Sequence, residues 1–402
     1  MSQALAGLKV ADFSLVITGA AISKCLADHG ATVVHVESET HPDPLRLTAP
    51  YKGGKTHIDR SGYYAIYNSS KYSLALDLNH SRGPEVAGQL VSWCDVVVEN
   101  LSPGVMGRWA LDYDSVRQSN PRVVYISSSN LGQTGPCSKY SSYGQALVSM
   151  AGFTHLTGWP DREPSQPYGA YTDILAPRLG LAAVISALDH RRRTGNGLYL
   201  DLSQLETAIH YLAVPFLDYF ANGRIAERRG NCSASAAPHN AYRCRGEDRW
   251  CAIAVETEEE WRAFCRILES PAWTRDPRLA TLEGRRDNED ELDRLVEEWT
   301  SQRTAEQVVA VCQEAGVAAG IVATAEDVVN DPRLAHRGHF HQLVHPELGE
   351  FGFDGQPFTL SQTPAEITRS PCIGEHTEYV LKELLGLSEE DYVALLLDGA
   401  LR

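Results

Sequence analysis

The feature that most constrains this chain is the alternation, over its first 130 residues, of short aliphatic runs with helical stretches. "LKVADFS" (8–14), "ATVVHVE" (31–37), "SLALDL" (73–78), "DVVVEN" (95–100) and "RVVYISSSN" (122–130) read as strands. Between them, "AAISKCLADHG" (20–30) and "GPEVAGQLVSWC" (83–94) read as helices, the first closed by a glycine. Strands this rich in valine and isoleucine, separated by helices, are parallel and buried on both faces. The pattern implies a doubly wound α/β domain.

Further along, the stripe Leu181, Ile185 and Leu188 predicts a helix that ends at "HRRRTGNG" (190–197), where the basic run complements the helix dipole. Pro177 suits the first position of that helix, which places Asp173 about one turn earlier, in the entering loop. Near residue 225 the texture changes. A loop of small residues leads to the strand "WCAIAVE" (250–256) and to two helices opened by capping boxes, Thr257 with Glu260 and Thr304 with Gln307. The tail from about 330 is rich in turns. With 402 residues, 43% hydrophobic and 22% charged, the chain can bury a large core in two or three domains. The division expected is 1–224, 225–328 and 329–402.

A formal charge of −16 argues against nucleic acid or an anionic membrane as partner, and an anionic ligand would need a local basic pocket. Nine scattered cysteines with no C-x-x-C pair are the usage of a reducing compartment, without a zinc framework. The opening "MSQALAGLKVADFS" lacks a signal pattern, and no uninterrupted apolar run is long enough to span a bilayer. A cytoplasmic protein is expected.

Few motifs carry chemistry by themselves. The first strand–helix–strand unit resembles a dinucleotide site down to an acid, Glu37, but Gly19 is the only glycine in its turn, so a pyrophosphate could not approach the helix. "HFH" (339–341) has no third ligand nearby in sequence, so no metal is expected. There is no G-x-S-x-G elbow. Glu375 and His376 in "GEHT" read as a cap for the last helix. Asp173 in "YGAYTDILAP" (168–177), taken alone, reads as a structural cap before a helix.

Its surroundings change that reading. "LAGLKVADFS", "NSSKYSLALDLN" (68–79), "VVVENLSPGVMGRWALDY" (96–113), "NPRVVYISSSNLGQTGP" (120–136), "TDILAPRLGLAAVISALDHRRRTGNGLYLDLSQLE" (172–206) and "GEHTEYVLKELLGL" (374–387) resemble, in order, the blocks of the class III CoA-transferases, the formyl-CoA and carnitine CoA-transferase type. The resemblance implies a Rossmann-like large domain built from both chain ends, a smaller α/β domain, and two chains interlocked as rings. It implies Asp173 as the nucleophile and coenzyme A, carried as acyl-CoA, as the substrate group. Ile17, Thr18, Leu76, Asn100, Leu101, Arg108 and Tyr143 fall at CoA-binding positions, with Arg108 as the phosphate partner and Lys71 as a further cation. The partners implied are an acyl-CoA and a carboxylic acid, in a homodimer or in a heteromer with a related chain.

The chain also departs from the formyl-CoA branch. Ile17 and Ser38 replace a glutamine and an arginine that help hold CoA there, and the run of glycines over the active site is missing, with "GNCSASAA" (230–237) the nearest counterpart. The 2-methylacyl-CoA racemases of the same family carry a histidine where this chain has Tyr143, which favours transfer over racemisation. Racemisation, and a CoA-binding subunit without turnover, stay open as alternatives.

Overall fold

The computed structural model describes residues 3–140 and 142–402. Its N-terminal part runs β1 (Lys9–Asp12), α1 (Thr18–Asp28), β2 (Thr32–Glu37), α2 (Gly62–Tyr67), β3 (Tyr72–Ala75), α3 (Gly83–Trp93) and β4 (Val96–Glu99). It continues through α4 (Tyr113–Ser119), β5 (Val124–Ser129), α5 (Gly144–Met150), the single turn α6 (Phe153–Leu156), α7 (Tyr171–Thr194), β6 (Leu198–Ser203), α8 (Gln204–Tyr211) and α9 (Ala213–Asn222). The six strands form one sheet in the order β3-β2-β1-β4-β5-β6, with every neighbouring pair parallel.

Side-chain alternation sorts the core into two layers. Val10 lies beside Val33 and Val96, while Ala11 lies beside Val34 and Val97. Val10, Val33, Val96, Val124 and Ile126 pack with Ile22 and Leu26 of α1 and with Val184 and Ala187 of α7. On the other face Ala11, Val34, Val97 and Tyr125 pack with Val86 and Leu90 of α3 and with Leu381 and Leu395 from the C-terminal region. Helices therefore cover both faces, as the doubly wound pattern requires.

Two features of α7 differ from the sequence reading. It begins at Tyr171, so Asp173 stands in its first turn and not in a loop, and Pro177 lies inside the helix. The proline has no N–H to give the carbonyl four residues back, which is that of Asp173. The buried stripe is Ala176, Gly180, Val184 and Ala187; Leu181 and Leu188 border it, and Ile185 is exposed. By length and composition α7 could cross a membrane, but its apolar stripe packs on α1 and the sheet.

A second unit comprises His155–Ser165 and Ala226–Asp331. It contains β7 (His239–Arg243), β8 (Trp250–Ala254), α10 (Glu258–Ile267), α11 (Leu282–Asp287), α12 (Glu289–Thr300), α13 (Ala305–Glu314), β9 (Ala318–Ile321) and α14 (Ala325–Val329). Its three strands are antiparallel in the order β7-β8-β9, and Phe264, Leu292, Val296 and Val308 are among its buried core. Both capping boxes form as the sequence indicates. Residues 155–165, which the sequence division left in the larger part, cluster with this unit.

The chain then rejoins the first unit with α15 (Pro332–His336), β10 (Phe340–His345), β11 (Gly349–Asp354), α16 (Thr377–Tyr379) and α17 (Glu389–Asp398). The turn-rich tail thus contains an antiparallel hairpin, β10 with β11. The Glu375–His376 cap does not form. Glu375 pairs with Arg369 at 2.5 Å and accepts the Cys372 amide at 2.9 Å, while the His376 side chain lies 3.3 Å from the Ser73 amide. Glu37, at the ribose position of a dinucleotide fold, is buried and bound to Arg46 at 2.7 Å.

Candidate active site

The loops that leave the C-terminal ends of β1, β4, β5 and β6 meet where the strand order turns back, between β1 and β4. In open α/β sheets this is the place for a ligand crevice. A cavity of about 380 Å³ lies there. Its lining includes Ile17, Thr18, Asn100, Leu101, Tyr143 and Asp173, six of the eight residues singled out from the sequence.

Asp173 reaches it from the first turn of α7, where its amide donates to the Ala170 carbonyl at 3.0 Å. Among the described residues its carboxylate has no ion-pair partner, and burial lifts its pKa to about 6. A carboxylate in this state is only partly solvated and uncommitted, which suits a nucleophile or base. Gly144, at the start of α5, makes room for it. An ideal Cβ there would stand 2.6 Å from Asp173 Oδ2 and 2.6 Å from the Ala170 Cβ. The next wall is held by Asn130, whose amide nitrogen donates to the Ser142 carbonyl at 2.5 Å and to its hydroxyl at 2.8 Å. This anchors the approach to Tyr143, whose side chain is 88% exposed along the cavity.

The loop after β1 is fixed from two sides. Asn100 Oδ1 accepts the Leu15 amide at 2.8 Å, and Asn100 Nδ2 donates to the Leu15 carbonyl at 2.7 Å. Val16 has φ +64°, an unfavourable value for a β-branched residue, and its amide donates to Asp43 Oδ1 at 3.1 Å. Strain of this kind collects at functional loops. Ile17 follows at the N-cap position of α1, and the Gln204 side chain donates to the Thr18 hydroxyl at 3.1 Å.

Leu76 lies in a neighbouring cavity of about 230 Å³ over the ends of β2 and β3. Leu15 and Leu101 line both cavities. Arg108 lines neither of them. It is exposed on the 3-10 turn Met106–Trp109, and its neighbours Val105 and Trp109 face the Leu76 cavity. Lys71, read from the sequence as a further cation for CoA, is instead buried beneath the sheet's end, where its ammonium holds Asp12 at 3.0 Å and Asn68 at 2.8 Å and its side chain has no exposed surface to offer a phosphate. Tyr63 on α2 was not foreseen either. Burial, and after it the charge of Asp173, raises its pKa, so its phenol lies within the field of that carboxylate. Among the described residues no group of three or more His, Cys, Asp or Glu is placed to hold a metal.

Comparison with known proteins gives this crevice a context. The sequence model of CoA-transferase family III matches residues 5–377. A Chloroflexus aurantiacus protein named succinyl-CoA–D-citramalate CoA-transferase is 30% identical, covering 96% of each chain. A Mycobacterium tuberculosis protein named "Probable CoA-transferase Rv1866" is 32% identical over 97% of this chain, which spans about half (49%) of that longer relative. Among solved structures, a CAIB/BAIF family protein from Brucella suis superposes with a TM-score of 0.88 at 30% identity, covering 96% of this chain and all of the other (100%). A match over nearly the whole length, in sequence and in fold, makes this chain an enzyme of CoA-transferase family III.

Proposed function

We propose that the chain transfers CoA from an acyl-CoA donor to a carboxylic acid through covalent intermediates on Asp173. The observation that carries this reading is the unpaired, partly buried carboxylate facing a crevice where four strand-end loops converge. In the first step an Asp173 oxygen attacks the thioester carbonyl, the C–S bond breaks, and CoA leaves as thiolate. The product is a mixed anhydride, which remains activated. The thiolate then attacks the aspartyl carbonyl, the donor acid departs, and an aspartyl-CoA thioester remains. The acceptor carboxylate displaces CoA thiolate to form a second anhydride. The thiolate attacks its acceptor carbonyl and restores the Asp173 carboxylate. No oxidant or metal enters the balance.

In this reading the pantetheine passes Leu15 and Leu101 between the two cavities, the nucleotide lies toward Leu76, and Arg108 meets phosphate. Ile17, Thr18, Asn100 and Tyr143 surround the thioester. The name of the Chloroflexus relative makes succinyl-CoA the first donor to try. We also propose a dimer: Val214, Leu217 and Phe220 on α9 are 77%, 63% and 81% exposed, an apolar surface suited to cover by a second chain.

Incubation with succinyl-CoA, a hydroxylamine quench and mass spectrometry test the chemistry. The expected result is a hydroxamate on Asp173, with transfer abolished in Asp173→Ala. Full activity of that variant would overturn the proposal.

A further inference from the structure

Among the described residues that line the Asp173 cavity, Ser129 and Gln204 each bury a side-chain oxygen that has no hydrogen-bond partner. Ser129 ends β5 and is 6% exposed; Gln204 begins α8 and is 5% exposed. Buried polar atoms without partners are rare in native folds, because each costs free energy. The Gln204 amide nitrogen is engaged, donating to the Thr18 hydroxyl at 3.1 Å, and Thr18, almost wholly buried, lines the same cavity. That bond occupies a lone pair of the hydroxyl and leaves its proton to give. A hydroxyl that accepts such a bond also becomes a better donor.

The backbone ties these residues to the seat of Asp173. Ser129 lies opposite Ser203 in the parallel pair of β5 and β6, and Gln204 comes next. The Leu205 amide donates to the Asn130 carbonyl at 3.0 Å, which joins the two strand ends. Asn130 in turn holds Ser142, two residues before the Gly144 that abuts the Asp173 carboxylate. Among the described residues neither hydroxyl, of Ser129 or of Thr18, is spent on that carboxylate. Thr18 also opens α1, which has no acidic residue in its first turn, so the positive end of the helix dipole stands at the same wall.

We infer that Ser129 and Thr18 are catalytic residues whose hydroxyls donate to the acyl carbonyl oxygen when Asp173 attacks, and that Gln204 is a positioning residue that aims the Thr18 hydroxyl. The inference rests on Asp173 as the nucleophile. As an Asp173 oxygen bonds to the carbonyl carbon, the C=O π pair moves onto the carbonyl oxygen, which takes up the negative charge of the carboxylate. Collapse returns that pair, breaks the C–S bond and releases CoA thiolate. Both hydroxyls keep their protons throughout. They stabilise charge where it develops, and hydrogen bonds fixed in advance within a cavity do so at no cost of reorganisation.

Rapid mixing with succinyl-CoA, a hydroxylamine quench and mass spectrometry give the rate at which the Asp173 adduct forms. Ser129→Ala and Thr18→Val each remove one donor at little change in volume, and each should slow that step about 100-fold while CoA affinity by calorimetry is kept. Thr18→Ser retains the hydroxyl and should retain most of the rate. Gln204→Glu turns the bond around, because an ionised carboxylate only accepts, and should be as slow as Thr18→Val. Ser128→Ala is the control: Ser128 is as buried and as unpartnered as its neighbour but does not line this cavity, so the adduct should form at the wild-type rate. Ser129→Ala deletes a buried hydroxyl that has no partner, so it should unfold in urea no sooner than wild type. A wild-type adduct rate in Ser129→Ala or Thr18→Val, equal slowing in Ser128→Ala, or slowing matched by lost urea stability overturns the inference and leaves Asp173 in its role. No adduct in wild type removes the nucleophile and the inference together.

Discussion

The bare α-carbon of Gly144 and the carboxylate of Asp173 occupy space that one added atom would fill, since a Cβ at 144 would stand 2.6 Å from Asp173 Oδ2. Carbon and oxygen do not approach so closely without bonding, so Gly144→Ala must push the carboxylate or the start of α5 aside. Displacing a reacting group by about 1 Å costs about 100-fold in rate, because proximity and alignment supply much of the acceleration. The expected outcome is a kcat lower by about that factor, with unaltered circular dichroism and CoA affinity. A wild-type rate in Gly144→Ala would show that the observed seat of Asp173 is not needed for turnover.

The burial of Asp173 sets a pH dependence for activity and an opposite one for stability. Its pKa rises from 3.8 to about 6 on folding, so the nucleophilic form is lost as pH falls through 6. The rate of acyl transfer from CoA should fall on the acid side with an apparent pKa near 6 and unit slope. Between 3.8 and 6 the folded chain holds a proton that the unfolded chain has released, so raising pH through that window destabilises the fold. Asp173→Asn removes the term. By urea unfolding it should be more stable than wild type at pH 8 by about 2–3 kcal/mol, a margin that narrows toward pH 5. Equal stabilities at pH 8 would place the carboxylate in ordinary solvent.

The parts of this site that sequence reveals are those encoded locally. Five of the six strands of the parallel sheet are legible because valine and isoleucine runs are their own signal, but β6 is half exposed along alternate residues, and "LYLDLS" passes without notice. The start of α7 is misplaced because an interior proline is unfavourable and here is tolerated at the expense of one hydrogen bond. Asp173 emerges only through the order of blocks around it, since an aspartate before a helix is ordinarily a cap. The contacts that define its seat cross long intervals: Gly144 lies 29 residues away, and Gln204 meets Thr18 across 186. Lys71 misleads for the same reason, because its partner Asp12 is 59 residues upstream.

Among the described residues, Asn100 is the side chain that clamps both polar groups of Leu15, at 2.8 and 2.7 Å. Asn100→Ala leaves an amide and a carbonyl without partners and frees a loop that already carries the strained Val16. The loss expected in urea unfolding is about 1–3 kcal/mol. CoA binding, measured by calorimetry, should weaken at least tenfold, since Leu15 borders both cavities. Asn100→Asp retains the acceptor and loses the donor, so it should fall between the two. A stable Asn100→Ala with native CoA affinity would remove the clamp from the account.

Lys71 and Arg108, both cations near a presumed phosphate site in sequence, should separate completely in experiment. The Lys71 ammonium is buried against Asp12, whose charge is disfavoured by burial yet held by Lys71 and His35 and by hydrogen bonds from Ser14 and Ser23. Lys71→Met strands that carboxylate in the core, and breaking a buried pair from one side costs about 3–5 kcal/mol. Arg108 is exposed, so Arg108→Ala should alter stability by less than about 0.5 kcal/mol. Its effect belongs to the ligand. Affinity for CoA should drop several-fold at low salt, the deficit should shrink as salt is raised, and dephospho-CoA or a pantetheine thioester should show a smaller deficit than CoA. If Lys71→Met unfolds no more readily than wild type while losing CoA affinity, the roles of the two cations are exchanged and the nucleotide lies deeper than the Leu76 cavity allows.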